Sequence, residues 1–508
     1  MDNPLIAGSV STQPSGLRRP AWHFIFVAVV LIAAALVVPL AALGNFLVLG
    51  LLAAPILVGG IVALIIWPTV GLPLAVITSL LVPISLGTGT QTGINASVLL
   101  ACGLLGLWAF DVMVLRRPVR LIESPTVRPL LAMMVVSIVA FGFGQMNWLP
   151  ARHASLSAQL GGLAVFLLSP AVFLLAASRI ASPRSLQWAL GLFCLLGGVF
   201  AFAMLFPTLR PLALASFARA VMDAMFWTWL ATLAVSQSWL NRKLPMIARL
   251  GLAGVAIAAF YFTVVVRQSW TSGWLPALVS IAVIVAVTRP KWLVVGLMAL
   301  TLLLVIRPEM LHGVLLGGDN EYSLQTRIEA WRILFDIIRL NPLLGIGPSN
   351  YYSYTALFNI LGYSVNFNSH NNYIDIVAQI GLVGLGCFGW FAWELGRTIW
   401  RSLRRLPEGF ERAYMTGALG GLVGMLVAGM LGDWFLPFVY NVGLEGFRAS
   451  GLAWMFLGAA VALEHTSRQA LASPVAVSAT PVGDHNLSPN MADESDVSVV
   501  GRASRHPG

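Results

Sequence analysis

The sequence predicts an all-α fold: a polytopic membrane bundle of about 12–14 spans carrying one large structured external loop. Three observations predict it. Hydrophobic residues make up 58% of the chain and charged residues only 10%, against roughly 25% charged in soluble domains. Mean hydropathy is +0.84. The apolar residues are gathered into runs near the length that crosses a bilayer, separated by short polar breaks.

Taken in order, the runs lie near 22–43, 46–66, 69–86, 95–115, 129–147, 161–178, 186–206, 221–240, 246–266, 272–288, 291–306, 372–396, 412–433 and 449–463. The first follows a short flank, residues 1–21, with Arg18 and Arg19. It is too long for the core of a cleavable signal peptide and a second run follows at once, which predicts a retained first helix. The run at 69–86 holds Pro73 and Pro83, so a re-entrant path is open to it. Residues 22–463 form the transmembrane domain, with the external loop at 307–371. Residues 464–508 are rich in Ser, Ala, Pro, Val and Asp without helical period, as a disordered cytoplasmic tail would be.

Composition also excludes some functions. Cys102, Cys194 and Cys387 each stand alone in an apolar run, which gives no disulfide framework and no metal set. The net charge of +10 is scattered between runs and forms no single basic face, so nucleic acid is not an expected partner. "GLGCFG", Gly384 to Gly389, matches a dinucleotide fingerprint but lies within a span with no preceding strand. The Gly420/Gly424 spacing suits close helix packing in lipid.

Basic clusters such as Arg116/Arg117/Arg120/Arg128, Arg242/Lys243/Arg249 and Arg397/Arg401/Arg404/Arg405/Arg412 fall in alternate breaks. The positive-inside rule makes that side cytoplasmic and puts both termini there. Arg152, Arg210, Arg219, Arg267, Arg307, Arg327, Arg332, Arg339 and Arg448 then lie outside, against the rule. All are arginine, in a chain whose lysines are Lys243 and Lys291 alone. Planar guanidinium forks suit phosphate oxygens.

The external loop is too long for a structureless connection. Within it, "TRIEAWRILFDIIRLNP" predicts a helix from Thr326, as N-cap of a capping box with Glu329, to Asn341-Pro342. At 100° per residue Arg332, Asp336 and Arg339 share a solvated face, while Arg327, Trp331, Leu334 and Ile338 share an apolar one. Arg327 is thus on the packing face and at the positive end of the helix dipole. A bound anion would offset both penalties, and snorkelling to water would also relieve them. Arg219 stands at a helix start, with Asp223 at i+4 as an alternative partner to an anion. Tyr351 and Tyr352 suit either sugar stacking or an interfacial aromatic belt.

His370 opens the next span in "SHNNYIDIVAQIGLVG". It reads either as a helix-capping or interfacial residue, or as a base, because imidazole titrates near neutrality and takes a proton from a hydroxyl. No second His or Cys stands at metal-ligand spacing, and no nucleophile-elbow sequence surrounds any serine.

The helix, "NPLLGIGPSNYY" and "SHNNYIDIVAQIGLVG" together resemble the signature region of the O-antigen ligase and O-antigen polymerase family over roughly Arg327 to Gly384. Upstream, "YFTVVVRQSWTSGWLPALV" is similar to that family's arginine-bearing span end, although Val266 and Gln268 replace its usual Ser and small residue. The resemblance implies a multi-spanning glycosyltransferase of the bacterial inner membrane with its active site facing the periplasm. It implies metal-independent, inverting transfer from an undecaprenyl-diphosphate-linked glycan, with no cofactor. His370 would activate the acceptor hydroxyl, Arg327, Arg267 and Arg219 would hold the diphosphate, and Asn371, Tyr351 and Tyr352 would contact acceptor or sugar. The acceptor would be a lipid A core sugar in a ligase and another lipid-linked repeat in a polymerase. A transporter or flippase of lipid-linked glycan is the rival reading; it would place its polar residues near the midplane, in paired repeats.

Overall fold

The computed structural model describes residues 70–87, 93–114, 116, 121–179, 183–306 and 321–472. The two earliest predicted spans, the N-terminal flank, residues 307–320 of the loop and residues 473–508 of the tail lie outside them. Each of the other twelve predicted spans contains a helix. The fold is an all-α polytopic membrane bundle.

The chain runs α1 (Gly71–Leu81), a hairpin β1 (Ser85–Gly87) with β2 (Gly93–Asn95), then α2 (Ala96–Met113), α3 (Val127–Phe143), α4 (Leu156–Arg179) and α5 (Pro183–Leu205). A short α6 (Arg210–Ser216) precedes α7 (Ala224–Leu240) and α8 (Met246–Phe260), which continues as a π-helical turn Tyr261–Val266. Then come α9 (Thr271–Thr288), α10 (Pro290–Ile306), the loop helices α11 (Glu321–Ile338) and α12 (Asn350–Thr355), and a small hairpin β3 (Asn359–Ile360) with β4 (Tyr363–Ser364). The last three helices are α13 (Asn372–Leu403), α14 (Phe410–Leu431) and α15 (Phe447–Ala472).

The bundle is built around α15, which packs along α4 and meets α7, α13 and α14. From Ala449 to Leu463 it is buried all round and almost wholly apolar, the pattern of a helix surrounded by protein. α15 runs to Ala472, past Glu464, where the sequence ends the last span. The glycine spacing in α14 does what its pattern suggests. A Cβ on Gly420 or Gly424 would overlap backbone or side chain at Pro276 and Ser280 of α9, so α9 and α14 approach closely only because those side chains are absent.

One arginine on the side read as external has a structural explanation. Arg448 is 1% exposed. Its Nη1 donates to the carbonyls of Thr78 (3.1 Å) and Val82 (2.7 Å), Nη2 to that of Ile84 (2.8 Å), and Nε to Glu445 Oε2 (2.7 Å). Helix C-termini leave carbonyls unpaired, and Arg448 supplies donors to the end of α1. It has no donor fork left for a phosphate.

Candidate functional site

The site is built on the start of α13. Asn371 caps it, its Oδ1 accepting the N–H groups of Tyr373 (2.9 Å) and Ile374 (3.3 Å). The Asn371 amide also donates to the Met430 carbonyl (3.3 Å) at the end of α14. Asn372 reaches the connection that follows α14, donating to Leu436 O (2.7 Å) and accepting from Phe435 N–H (3.1 Å). On the other flank Ser369 is fully buried. Its Oγ accepts from Asn371 N–H (2.9 Å) and donates to Asp375 Oδ1 (2.7 Å), while its carbonyl accepts from Trp331 Nε1 (2.8 Å) of α11.

Between these clamped neighbours His370 is exposed, with φ +49°. That left-handed conformation costs a non-glycine residue roughly 1–2 kcal/mol. It persists because both flanks are over-determined, a pattern typical of functional positions.

The Gly/Pro segment before it has a definite task. α13 is broken at Gly381 (φ 73°, ψ −178°). A break in a membrane helix orphans backbone groups, each costing several kcal/mol in apolar surroundings. Residues 342–347 insert into the break and satisfy them. Ile346 and Gly347 N–H donate to the carbonyls of Ala378 (3.0 Å) and Gln379 (3.1 Å). Leu382 and Val383 N–H donate to those of Pro342 (2.8 Å) and Leu343 (3.1 Å). Gly345 (φ 71°) and Gly381 permit the contact, since a Cβ on either would overlap the opposing backbone. The Asn372–Ile380 segment is thereby fixed to the loop.

The loop helix departs from the sequence reading at its start. α11 begins at Glu321, so Thr326 lies inside it and is not its N-cap. Arg327 is not in the first turn, and the dipole argument for an anion there falls, because the polar residues ahead of Thr326 continue the helix. The face assignment stands. Ala330, Leu334, Ile337 and Ile338 are buried. Arg332 pairs with Glu329 (3.2 Å) and Arg339 with Asp336 (2.8 Å) on the exposed side. Arg327 is half-buried, one turn before Trp331, whose indole holds Ser369.

Arg267 is linked to the start of α13 only indirectly, through a row of aromatic residues. Its guanidinium lies 4.6 Å over the Trp270 ring, and Trp270 meets Trp434 edge-on at 6.2 Å, next to the Phe435 that Asn372 holds. Partial burial lowers the Arg267 pKa, a desolvation that an adjacent anion would offset. Arg219 is exposed in the 3-10 turn Arg219–Met222, which packs against the Gly443–Gly446 turn. Asp223 caps α7 by accepting from Met225 N–H (2.8 Å), and no ion pair joins it to Arg219 among the described residues.

Tyr351 is placed differently from a sugar contact. It is fully buried, stacked on Phe438 at 4.8 Å, and its hydroxyl donates to Asp375 Oδ1 (2.5 Å). Burial and the neighbouring Asp375 push its pKa up. Tyr352 is half-buried and stacked on Tyr440 at 4.3 Å.

Asp375 and Asp433 are residues the sequence reading passed over, though an acidic residue within or just beyond an apolar helix is itself a signal. Asp433 Oδ1 accepts from Asn441 Nδ2 (2.7 Å) and Oδ2 from Phe438 N–H (3.1 Å), which fixes the connection after α14; burial pushes its pKa up. Asp375 is 2% exposed and its Oδ2 has no hydrogen-bond partner. A small cavity behind the loop is lined by Asp375, Asn372, Gln379, Gly162 and the Leu436–Val439 segment, and by none of His370, Arg267 or Arg327. Asp375→Asn keeps the acceptor for Ser369 and Tyr351 and is expected to leave thermal unfolding and transfer near wild type. Asp375→Ala strands the Tyr351 hydroxyl, at about 1–3 kcal/mol, while Ser369 Oγ keeps the Asn371 carbonyl (2.8 Å), and is expected to lower both unfolding temperature and transfer. Equal behaviour of the two variants in a detergent melting assay would remove the acceptor role.

Residues 246–389 match a family model described as O-antigen ligase. No curated protein matches the chain. The matched stretch contains Arg267, α11, the inserted Gly/Pro segment, His370 and Asp375, while Arg219, Asp433 and α15 lie outside it. The strained histidine and the two arginine-bearing elements, with Arg267 and Arg327, all lie within the stretch that is similar to the O-antigen ligase family.

Proposed function

We propose that the protein transfers a glycan from an undecaprenyl-diphosphate-linked donor to an acceptor hydroxyl at the periplasmic face of the bacterial inner membrane. His370 takes the proton of the acceptor hydroxyl as its oxygen attacks the anomeric carbon. The bond from that carbon to the phosphate oxygen breaks, and the diphosphate leaves with the lipid. Arg267 and Arg327 stabilise the charge that develops on it, with Arg219 as a further contact. A single displacement inverts the anomeric centre. Fixed guanidinium groups can neutralise a leaving diphosphate without a metal ion.

The observation that carries this reading is the convergence at His370. The residue is strained and exposed; Trp331 ties the helix bearing Arg327 to the neighbouring Ser369, and Trp270, beneath Arg267, meets Trp434 beside the Phe435 that Asn372 holds. These polar groups gather at one end of α13 and not along its middle, which favours chemistry over transport. The test is incubation of the purified protein with a polyprenyl-diphosphate oligosaccharide and either a lipid A core acceptor or a second lipid-linked repeat. Release of polyprenyl diphosphate with a coupled product supports the reading, and the productive acceptor separates ligase from polymerase. Movement of intact donor across vesicles without product would replace it with transport.

Arg327→Lys keeps the charge but not the fork, and is expected to cut transfer at least about tenfold. Arg339→Ala, on the exposed face, is expected to stay within about twofold of wild type, since its surface pair contributes little. Similar rates for both variants would rule out a special role for Arg327.

A further inference from the structure

From Leu340 to Ile374 the chain contains no Asp, Glu, Lys or Arg. A water-exposed segment of ordinary composition would carry charge at about a quarter of its positions. Most of this stretch lies outside the membrane helices, in α12, the β3–β4 hairpin and the irregular segment 365–369 before His370. Several of its polar side chains bond back to the loop itself. Ser364 Oγ donates to Ala356 O (2.6 Å), Asn366 Nδ2 to Tyr352 O (2.6 Å), and Phe367 N–H to Thr355 Oγ1 (3.1 Å). Ile360 is buried against the loop core.

The large side chains the hairpin exposes are apolar or aromatic, beside uncharged Asn359, Ser364 and Asn366. Leu361 is 39% exposed, Tyr363 64% and Val365 49%, with Leu357 beside them. The tip holds Leu361 at φ +48° and Gly362 at φ +88°. Two-residue turns with positive φ at both central positions usually take Asn-Gly or Asp-Gly. Here a leucine occupies the strained first position, with its side chain outside the core.

We propose that the β3–β4 hairpin is a membrane contact, its tip seated in the headgroup and upper acyl region of the leaflet on the His370 side. Three features select lipid as the occupant. The ends of α13 and α14 meet at the Asn371–Met430 hydrogen bond, and Met430 is exposed and apolar, which marks the bilayer surface close to His370. Only five residues, Val365–Ser369, separate the hairpin from His370 along the chain. Its outward residues carry no charge, and the large ones, Leu361, Tyr363 and Val365, with small amides and a hydroxyl beside them, suit the water–hydrocarbon boundary.

The test uses the full-length protein with Cys102, Cys194 and Cys387 replaced by alanine and one new cysteine, Leu361→Cys, carrying an environment-sensitive fluorophore. Tyr363→Cys serves as a second reporter and Arg339→Cys, on the exposed face of α11, as the water reference. All are reconstituted into phosphatidylethanolamine–phosphatidylglycerol vesicles. At positions 361 and 363 a headgroup-level nitroxide lipid is expected to quench several-fold more than at 339, with the reverse order for iodide. Quenching at 361 and 363 equal to that at 339 would overturn the proposal. So would protection from both quenchers, which would mean cover by protein, such as a second copy of the chain. No transfer assay enters, so the outcome is independent of the proposed reaction.

Discussion

His370→Ala is expected to lower glycan transfer by about 10²–10⁴-fold, the usual cost of removing a general base, while the protein still inserts and purifies. His370→Gly adds a second measurement. Both variants lack the imidazole, but glycine adopts φ +49° without strain, whereas alanine pays about 1–2 kcal/mol for it. The glycine variant should therefore melt higher than the alanine variant while being equally inactive. Near-wild-type transfer by either variant would take His370 out of the mechanism. A lower melting point for glycine than for alanine would mean that the left-handed backbone is not a source of strain.

Gly381→Ala is expected to cause the largest loss of folded protein among single substitutions in the site region. Its Cβ would overlap the carbonyl of Leu343, which is backbone and cannot rotate away, and the residue has φ +73°. Relief requires the inserted segment to retreat, which breaks hydrogen bonds that satisfy the broken helix. Gly386→Ala is the control. It lies in the same helix with open space where a Cβ would be, and is expected to be tolerated or slightly stabilising. Yield of monodisperse protein in mild detergent, followed by thermal unfolding, separates the two. Equal yields would show that residues 342–347 do not depend on a close approach at Gly381.

The parts legible in the sequence share a local cause. Apolar runs long enough to cross a bilayer must be helical, because unsatisfied backbone is too costly in lipid, and each predicted span within the described residues contains a helix. The faces of α11 follow from its 3.6-residue period, so Leu334 and Ile338 are buried while Arg332 and Arg339 pair on the outside. His370 stands out in the sequence because it sits beside asparagines at the start of a span.

Other features depended on partners far away in the chain. Nothing near Arg448 shows that it caps a helix end 370 residues earlier at Thr78. Tyr351 looked like a sugar contact because its neighbours are aromatic and polar, but a hydrogen bond to Asp375 and a stack on Phe438 bury it. Asp433 and Trp434 follow a span without any motif, yet they fix the connection on which Asn372 and Trp270 meet. The helix start at Thr326 failed for the opposite reason, since a good capping sequence is only a local preference and α11 runs through it. Period and hydrophobicity act between residues a few positions apart, so a single sequence records them. Hydrogen bonds and ring contacts between distant segments leave no such period, and only the packed bundle determines which of several plausible polar residues faces the site and which holds it together.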